Sequence, residues 1–277
     1  MTSTAVAIPI LSSSRTGSQT RAAVRAATRL VRLAPSTLLR FILWQVGDLA
    51  RITRPAARSA WRSRCLRTWA DACLRTANVR VHVRGVAPTP TPFLLVANHL
   101  SYLDILVLAS LVDGRFVARH DIGSWPVIGQ LVRAGGAILV ERGRRGAAVA
   151  VSATVRAALE DGSGVILFPE GTSTDGRGIL PFRSSLFEPA VSIDCPVHTA
   201  ALRYSTPVGS PQAADAVCWH GDMPFASHVW GLFELPRIDV FVEFSADQVA
   251  GSDRKCMAAA AHDSVLALHA SVTTEVA

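Results

Sequence analysis

The stretch FLLVA at 93–97 restricts the fold more than any other feature of the chain. Every position is apolar, whereas a strand with one wet face alternates apolar and polar residues. AILV at 137–140 and GVILF at 164–168 repeat the pattern. Such runs are too short for helices and suit strands of a sheet covered on both faces. Further strands are expected at RFVAR (115–119), PVHTAAL (196–202) and IDVFVEF (238–244). VRVHVRG, from residue 79, alternates, which suits a half-exposed strand with His82 turned outward. Helical stretches lie between several of these, notably 104–112 and 145–160, and the Ala-rich tail after Gly251 is also expected to be helical. Strands alternating with helices predict an α/β domain: a central mostly parallel or mixed sheet flanked by helices.

At 277 residues the chain is long enough for one substantial core, or for one domain with an appendage. Apolar residues make up 49%, yet no run of about 18 clean apolar residues occurs, so a spanning helix is not expected. Cys65, Cys73, Cys195, Cys218 and Cys256 show no C-x-x-C spacing, which argues against a zinc site or a disulfide framework and for a reducing compartment. The first residues, MTSTAVAIPILSSS, lack the basic start of a secretory signal, and their continuation only faintly resembles an organellar transit peptide.

Charge is distributed unevenly. Residues 1–90 hold fifteen Arg against Asp48 and Asp71, whereas the remainder has 13 basic and 19 acidic residues. A basic front on a mildly acidic body suits an anionic surface as partner. Arg21, Arg25, Arg29 and Arg32 recur at helical spacing, Pro35 is expected to end that helix, and Ser36-Thr37 to cap the apolar segment LLRFILWQVGDLARI. Arg51, Arg54, Arg58 and Arg62 form a second basic series. Residues 1–75 thus read as an Arg-rich amphipathic helical segment, and 76–277 as the α/β domain. Two readings of the segment stand on these residues: an interfacial helix whose arginines meet lipid phosphates, or a hairpin packed on its own domain. Nucleic acid is disfavoured, because no aromatic platform accompanies the charge.

The strand at 93–97 ends in Asn98 and His99, with Asp104 five residues after the histidine. Ser101 and Asp104 fit a capping pair at the start of a helix. His99 then sits at the C-terminal end of a strand, where α/β folds place ligands. Asp104 can fold back onto one imidazole nitrogen and leave the other to accept a proton. No G-x-S-x-G elbow or suitably placed cysteine supplies a protein nucleophile, so a basic His99 implies a hydroxyl on the substrate. The alternative is structural, with Asp104 capping the helix and His99 packed beneath it. In GVILFPEGTSTDG (164–176), Pro169 and Gly171 force a turn in which Glu170 is an anchor and Thr172 a hydroxyl donor, suited to an oxyanion or simply to ending a strand. Arg142, after the strand at 137–140, is a candidate for a phosphate or for a neighbouring carboxylate.

Together NHLSYLD (98–104), FVARHDIGSWPVIGQLVRAGGAILVERG (116–143), FPEGTST (168–174) and DCPVHTAALRY (194–204) resemble, in order, the four blocks of the glycerolipid acyltransferases of the 1-acylglycerol-3-phosphate acyltransferase type. The resemblance implies that His99, oriented by Asp104, deprotonates the acceptor hydroxyl, which attacks the thioester of an acyl-CoA or acyl carrier protein. It further implies substrate contacts from Asn98, Ser101, Arg119, Arg142, Glu170, Gly171, Thr172 and Ser173, with no metal or other cofactor. The partners implied are a lysolipid acceptor and an anionic membrane, met peripherally or monotopically on the cytoplasmic face of the inner membrane.

One position departs from the pattern. Members acting on glycerol phosphates often carry arginine where Ser173 stands, so Arg119, Arg177 or Arg183 is the candidate substitute. DGRGILPFRSSLFEPA (175–190) resembles the lyso-ornithine lipid acyltransferase branch. The leading acceptor is 1-acylglycerol-3-phosphate, its rival a lyso-ornithine lipid. A thioester or lipid hydrolase and a non-catalytic lipid-binding protein are the alternatives from other classes.

Overall fold

The computed structural model describes residues 13–124, 128–140 and 147–276. Its elements run α1 (Ser13–Leu49), α2 (Pro55–Ala77), β1 (Val79–Arg84), β2 (Phe93–Ala97), α3 (Leu103–Leu111), β3 (Arg115–Arg119), α4 (Ile128–Ala134) and β4 (Ile138–Val140). There follow α5 (Ala147–Glu160), β5 (Gly164–Leu167), α6 (Glu188–Ser192), β6 (Val197–Ser205), α7 (Ala213–Ala216), α8 (Phe225–Glu234), β7 (Ile238–Phe244) and α9 (Arg254–Val276). Among the described residues the strands form one sheet in the order β1-β7-β6-β2-β5-β3-β4. All neighbours are parallel except β6 and β7, so the sheet is mixed.

The apolar runs are central because both their faces are covered. On β2, Phe93, Leu95 and Ala97 point to the core under α1, α2, α3 and α8, while Leu94 and Val96 point to the core under α5, α6 and α9. Ile166 of β5 joins the first core, and Val165 and Leu167 the second. At the sheet edge β1 keeps its wet face: His82 is half exposed, hydrogen-bonds Asp239 at 3.0 Å and stacks on Phe241.

The N-terminal segment corrects one expectation. Pro35 lies inside α1 rather than ending it. The lost hydrogen bond that Pro imposes on a helix is outweighed because each half of α1 is held by packing. The first half lies on α8, with Ala26 fully buried. The second half forms a hairpin with α2, where Gly47 leaves no room for a Cβ beside the Trp61 ring (2.3 Å) and Trp44 is buried.

Among the described residues, five of the eight arginines in the two basic series are engaged within the protein. Arg25 donates to Glu234 O, and Arg29 donates to Phe233 O at 2.9 Å and Leu235 O at 2.6 Å. Both therefore satisfy carbonyls at the C-terminus of α8, the end of a helix that favours cations. Arg58 and Arg62 clasp Asp48 at 2.5 and 2.6 Å, and Arg51 lies 4.4 Å over the Trp61 ring. The clasp holds the Asp48 carboxyl well below the usual carboxylate range, chiefly through the hydrogen bond from Arg62 and then that from Arg58. Arg21, Arg32 and Arg54 remain exposed.

Candidate active site

Parallel pairing of β2 with β5 and β6 brings three strand ends to one edge of the sheet. Val96 is level with Leu167 and Ala97 with Ala200, so Asn98 and His99 leave β2 beside Phe168–Glu170 and beside the second half of β6. The His99 ring accordingly stacks on Phe168, centroids 4.1 Å apart and planes 12° apart. Its side chain keeps 21% exposure, so it lies at the mouth of the sheet rather than beneath it.

The sequence-predicted pair is assembled. His99 Nδ1 lies 2.7 Å from Asp104 Oδ2. A carboxylate oxygen accepts, so Nδ1 carries the proton and Nε2 presents its lone pair. Asp104 is fully buried, and isolated burial of such a charge is costly. Four donors offset that cost: His99 Nδ1, the amides of Leu100 (2.6 Å) and Ser101 (2.9 Å), all at Oδ2, and the Tyr204 hydroxyl at Oδ1 (2.6 Å). The capping pair is half realised. Asp104 accepts the Ser101 N–H, but the buried Ser101 hydroxyl has no hydrogen-bond partner among the described residues.

Three of the predicted substrate contacts are hydrogen-bonded to the protein's own backbone. Asn98 is buried, donating from Nδ2 to Leu202 O at 3.0 Å and accepting from Leu202 N–H at 2.8 Å, so its amide sews β2 to β6 beyond the ladder. Glu170 is buried and both carboxylate oxygens are taken, Oε1 by the His99 N–H (2.7 Å) and Oε2 by the Leu180 N–H (2.8 Å). Burial pushes this carboxyl above its usual range, against the pull of those two amides. The Ser173 hydroxyl donates to Trp219 O. All three side chains are thus tied to backbone groups around the His99 loop.

Other candidates face outward. Thr172 is exposed, its hydroxyl making, among the described residues, a long 3.5 Å contact to Ser173 O. Gly171 has φ +77°, and a Cβ there would meet Arg183 Nε at 2.6 Å, so only glycine lets that guanidinium lie against the loop. Arg183 is exposed and, among the described residues, forms no ion pair, whereas Arg177 pairs with Asp175. Arg119 closes β3, and Arg142 lies outside the described residues.

Beside the histidine loop lies an apolar cavity of about 320 Å³, lined among others by Leu30, Leu33, Trp69, Tyr102, Leu106 and Phe233. Sequence reasoning missed it, because α1, α2, α3 and α8 build it jointly. Its wall is fixed by polar contacts behind it: His228 Nε2 donates to Cys218 O, leaving Nδ1 to accept from Tyr102 OH, each at 3.1 Å. Burial holds His228 below its usual pKa, in keeping with the neutral ring this arrangement needs.

Comparison with known proteins agrees with this geometry. The Acyltransferase family profile matches residues 78–203, the span holding His99, Asp104 and Glu170. The chain is 35% identical over 188 residues to the lyso-ornithine lipid O-acyltransferase of Rhizobium meliloti, a match spanning 64% of each chain. It is 30% identical to the enzyme of that name from Brucella abortus, over 76% of this chain and 84% of that one. It is 28% identical to the 1-acyl-sn-glycerol-3-phosphate acyltransferase of Neisseria gonorrhoeae, over 87% of this chain and 93% of that one. The crystal structure of the 1-acyl-sn-glycerophosphate (LPA) acyltransferase PlsC from Thermotoga maritima shares the fold, with TM-score 0.63 and 18% identity over 88% of this chain and 98% of that one. With the paired His99 and Asp104 at the mouth of its sheet, the chain belongs to the acyltransferase family.

Proposed function

We propose that the protein transfers a fatty acyl chain from an acyl thioester, of CoA or acyl carrier protein, to the free hydroxyl of a one-chain lipid. The observation that carries this reading is the His99 imidazole held through Nδ1 by Asp104, on a loop whose next residues, Tyr102 and Leu103, line an apolar cavity. Nε2 takes the proton of the acceptor hydroxyl as its oxygen attacks the thioester carbonyl. The tetrahedral intermediate then collapses, breaking the C–S bond, and the departing thiolate takes the proton back from Nε2, which restores the base. General-base help of this kind contributes roughly 10²–10⁴ in rate. The cavity, whose walls are almost wholly apolar, suits a hydrocarbon tail. Arg183, lying against Gly171 without a carboxylate partner among the described residues, is the cation for the acceptor's anionic headgroup.

The leading acceptor is 1-acylglycerol-3-phosphate, giving phosphatidic acid. A lyso-ornithine lipid is the second reading. It is favoured by Ser173 standing where a phosphate-binding arginine is expected, and by the 35% and 30% identities to relatives of that name. Purified protein with each acceptor and a labelled acyl thioester separates the two, and product from the aminolipid alone rejects the first. Thiol release at full rate without any acceptor points instead to hydrolysis.

Residues 1–75 form the membrane-facing part in this reading, on the cytoplasmic face of the inner membrane. No helix of the described residues is long and apolar enough to cross a membrane. The exposed stripe of Leu38, Leu39, Ile42, Leu43, Val46 and Leu49 on α1, flanked by Arg32 and Arg54, suits an interfacial position instead.

A further inference from the structure

We infer that Tyr204 is a positioning residue for the His99–Asp104 pair, acting from β6, the strand next to β2, and 100 residues of sequence away from Asp104. The ring is buried on the face of the sheet that packs under α3, and its hydroxyl donates to Asp104 Oδ1 at 2.6 Å. Packing alone does not call for that hydroxyl, since phenylalanine fills the same space. A buried phenol does require a partner, and here it has taken the one carboxylate oxygen that the histidine leaves unused.

The consequence lies in the carboxylate's symmetry. His99 Nδ1 and the amides of Leu100 and Ser101 all converge on Oδ2. The terminal torsion of an aspartate is broad and roughly two-fold, so a half-turn exchanges its oxygens. With Oδ1 anchored by Tyr204 that freedom is removed, and one oxygen is held toward the imidazole. Tyr204 also draws on the negative charge that faces the imidazole, and its removal leaves the buried carboxylate one donor poorer. The phenol is itself pushed well above its usual pKa, mainly by burial and then by Asp104, so it remains a donor. The other titratable groups facing the pair are Glu170 from the loop after β5, Tyr102 before α3 and Cys218 before α8, with Asp175 and Asp215 behind the thiol. Tyr204→Phe removes none of their hydrogen bonds.

The kinetic half of this inference rests on the acyl-transfer reading, so the test has a part that does not. In the resting protein without substrate, the low-field proton NMR signal of His99 Nδ1–H, assigned by its loss in His99→Ala, is compared between the parent and Tyr204→Phe. A displaced or exchange-broadened signal is expected, and an unmoved one overturns the inference. In acyl transfer, Tyr204→Phe is expected to lower kcat roughly tenfold with KM for both substrates nearly unchanged. The acid limb of its pH–rate profile should move up by roughly one pH unit, the size expected for one hydrogen bond to a charged group. A lower melting temperature with a superimposable pH profile makes Tyr204 merely structural and overturns the inference. So does a Tyr204→Phe loss that persists in full on an Asp104→Asn background, since the hydroxyl then acts elsewhere. A displaced signal in a protein with no transferase activity sinks the acyl-transfer reading and leaves the coupling intact.

Discussion

Replacing Leu39, Leu43 and Val46 together with glutamine tests how the protein meets lipid. These side chains are 59, 56 and 63% exposed in the free protein, so more than half of each is left for a bilayer to cover. Full burial of such a side chain is worth roughly 1.5–3 kcal/mol, which makes the unburied share about 1–1.5 kcal/mol each. Three sites give about 3–4 kcal/mol, or roughly a 10²–10³-fold weaker partition at 1.4 kcal/mol per tenfold. Glutamine is a good helix former and the sites touch little, so the melting temperature should hardly change. Co-sedimentation with anionic vesicles measures the effect. Salt is the control: because Arg25, Arg29, Arg51, Arg58 and Arg62 are engaged within the protein, high salt should weaken binding less than the triple substitution does. A stably folded triple variant that sediments as before, or binding that salt alone abolishes, refutes the apolar-stripe argument.

Two further outcomes follow from particular contacts. Arg183→Gln should raise KM for an anionic acceptor roughly tenfold, the exposed position moderating a charge-assisted bond, and leave KM for the thioester unchanged; equal effects on an uncharged acceptor would remove Arg183 from the headgroup site. Asp48→Asn should lower the urea midpoint by releasing Arg58 and Arg62. The depressed Asp48 carboxyl stabilises the fold above its unfolded pKa of about 4 and loses that contribution as pH falls through its lower native value. The gap between parent and variant should therefore be full at pH 6 and smaller at pH 3, and a gap independent of pH would contradict the clasp.

What the chain discloses before folding depends on how far apart the interacting groups lie. Strands β2, β4 and β5 are legible because a sheet covered on both faces writes itself as unbroken apolar runs. The His99–Asp104 pair is legible because five residues of loop and first helical turn suffice to close it. The hydrogen-bond partners of Glu170, Asn98 and Ser173 were not legible because they lie 71, 104 and 46 residues away, and a motif shows the polar atom without showing what it bonds. Arg25 and Arg29 carry the same lesson: helical spacing placed them on one face, but the carbonyls they meet are more than 200 residues downstream. Pro35 was read by its local cost, which packing at both ends of α1 overrides. Tyr204 had one visible signal, a phenol at the end of a buried strand, which always asks for a partner.

The catalytic base is tested most directly by His99→Ala, assayed for acyl transfer from a thioester to a lysolipid alongside melting and vesicle binding. The account predicts transfer reduced by roughly 10²–10⁴-fold in a protein that melts and binds lipid as the parent does. Transfer at the parent rate by a folded, lipid-bound His99→Ala protein would contradict it.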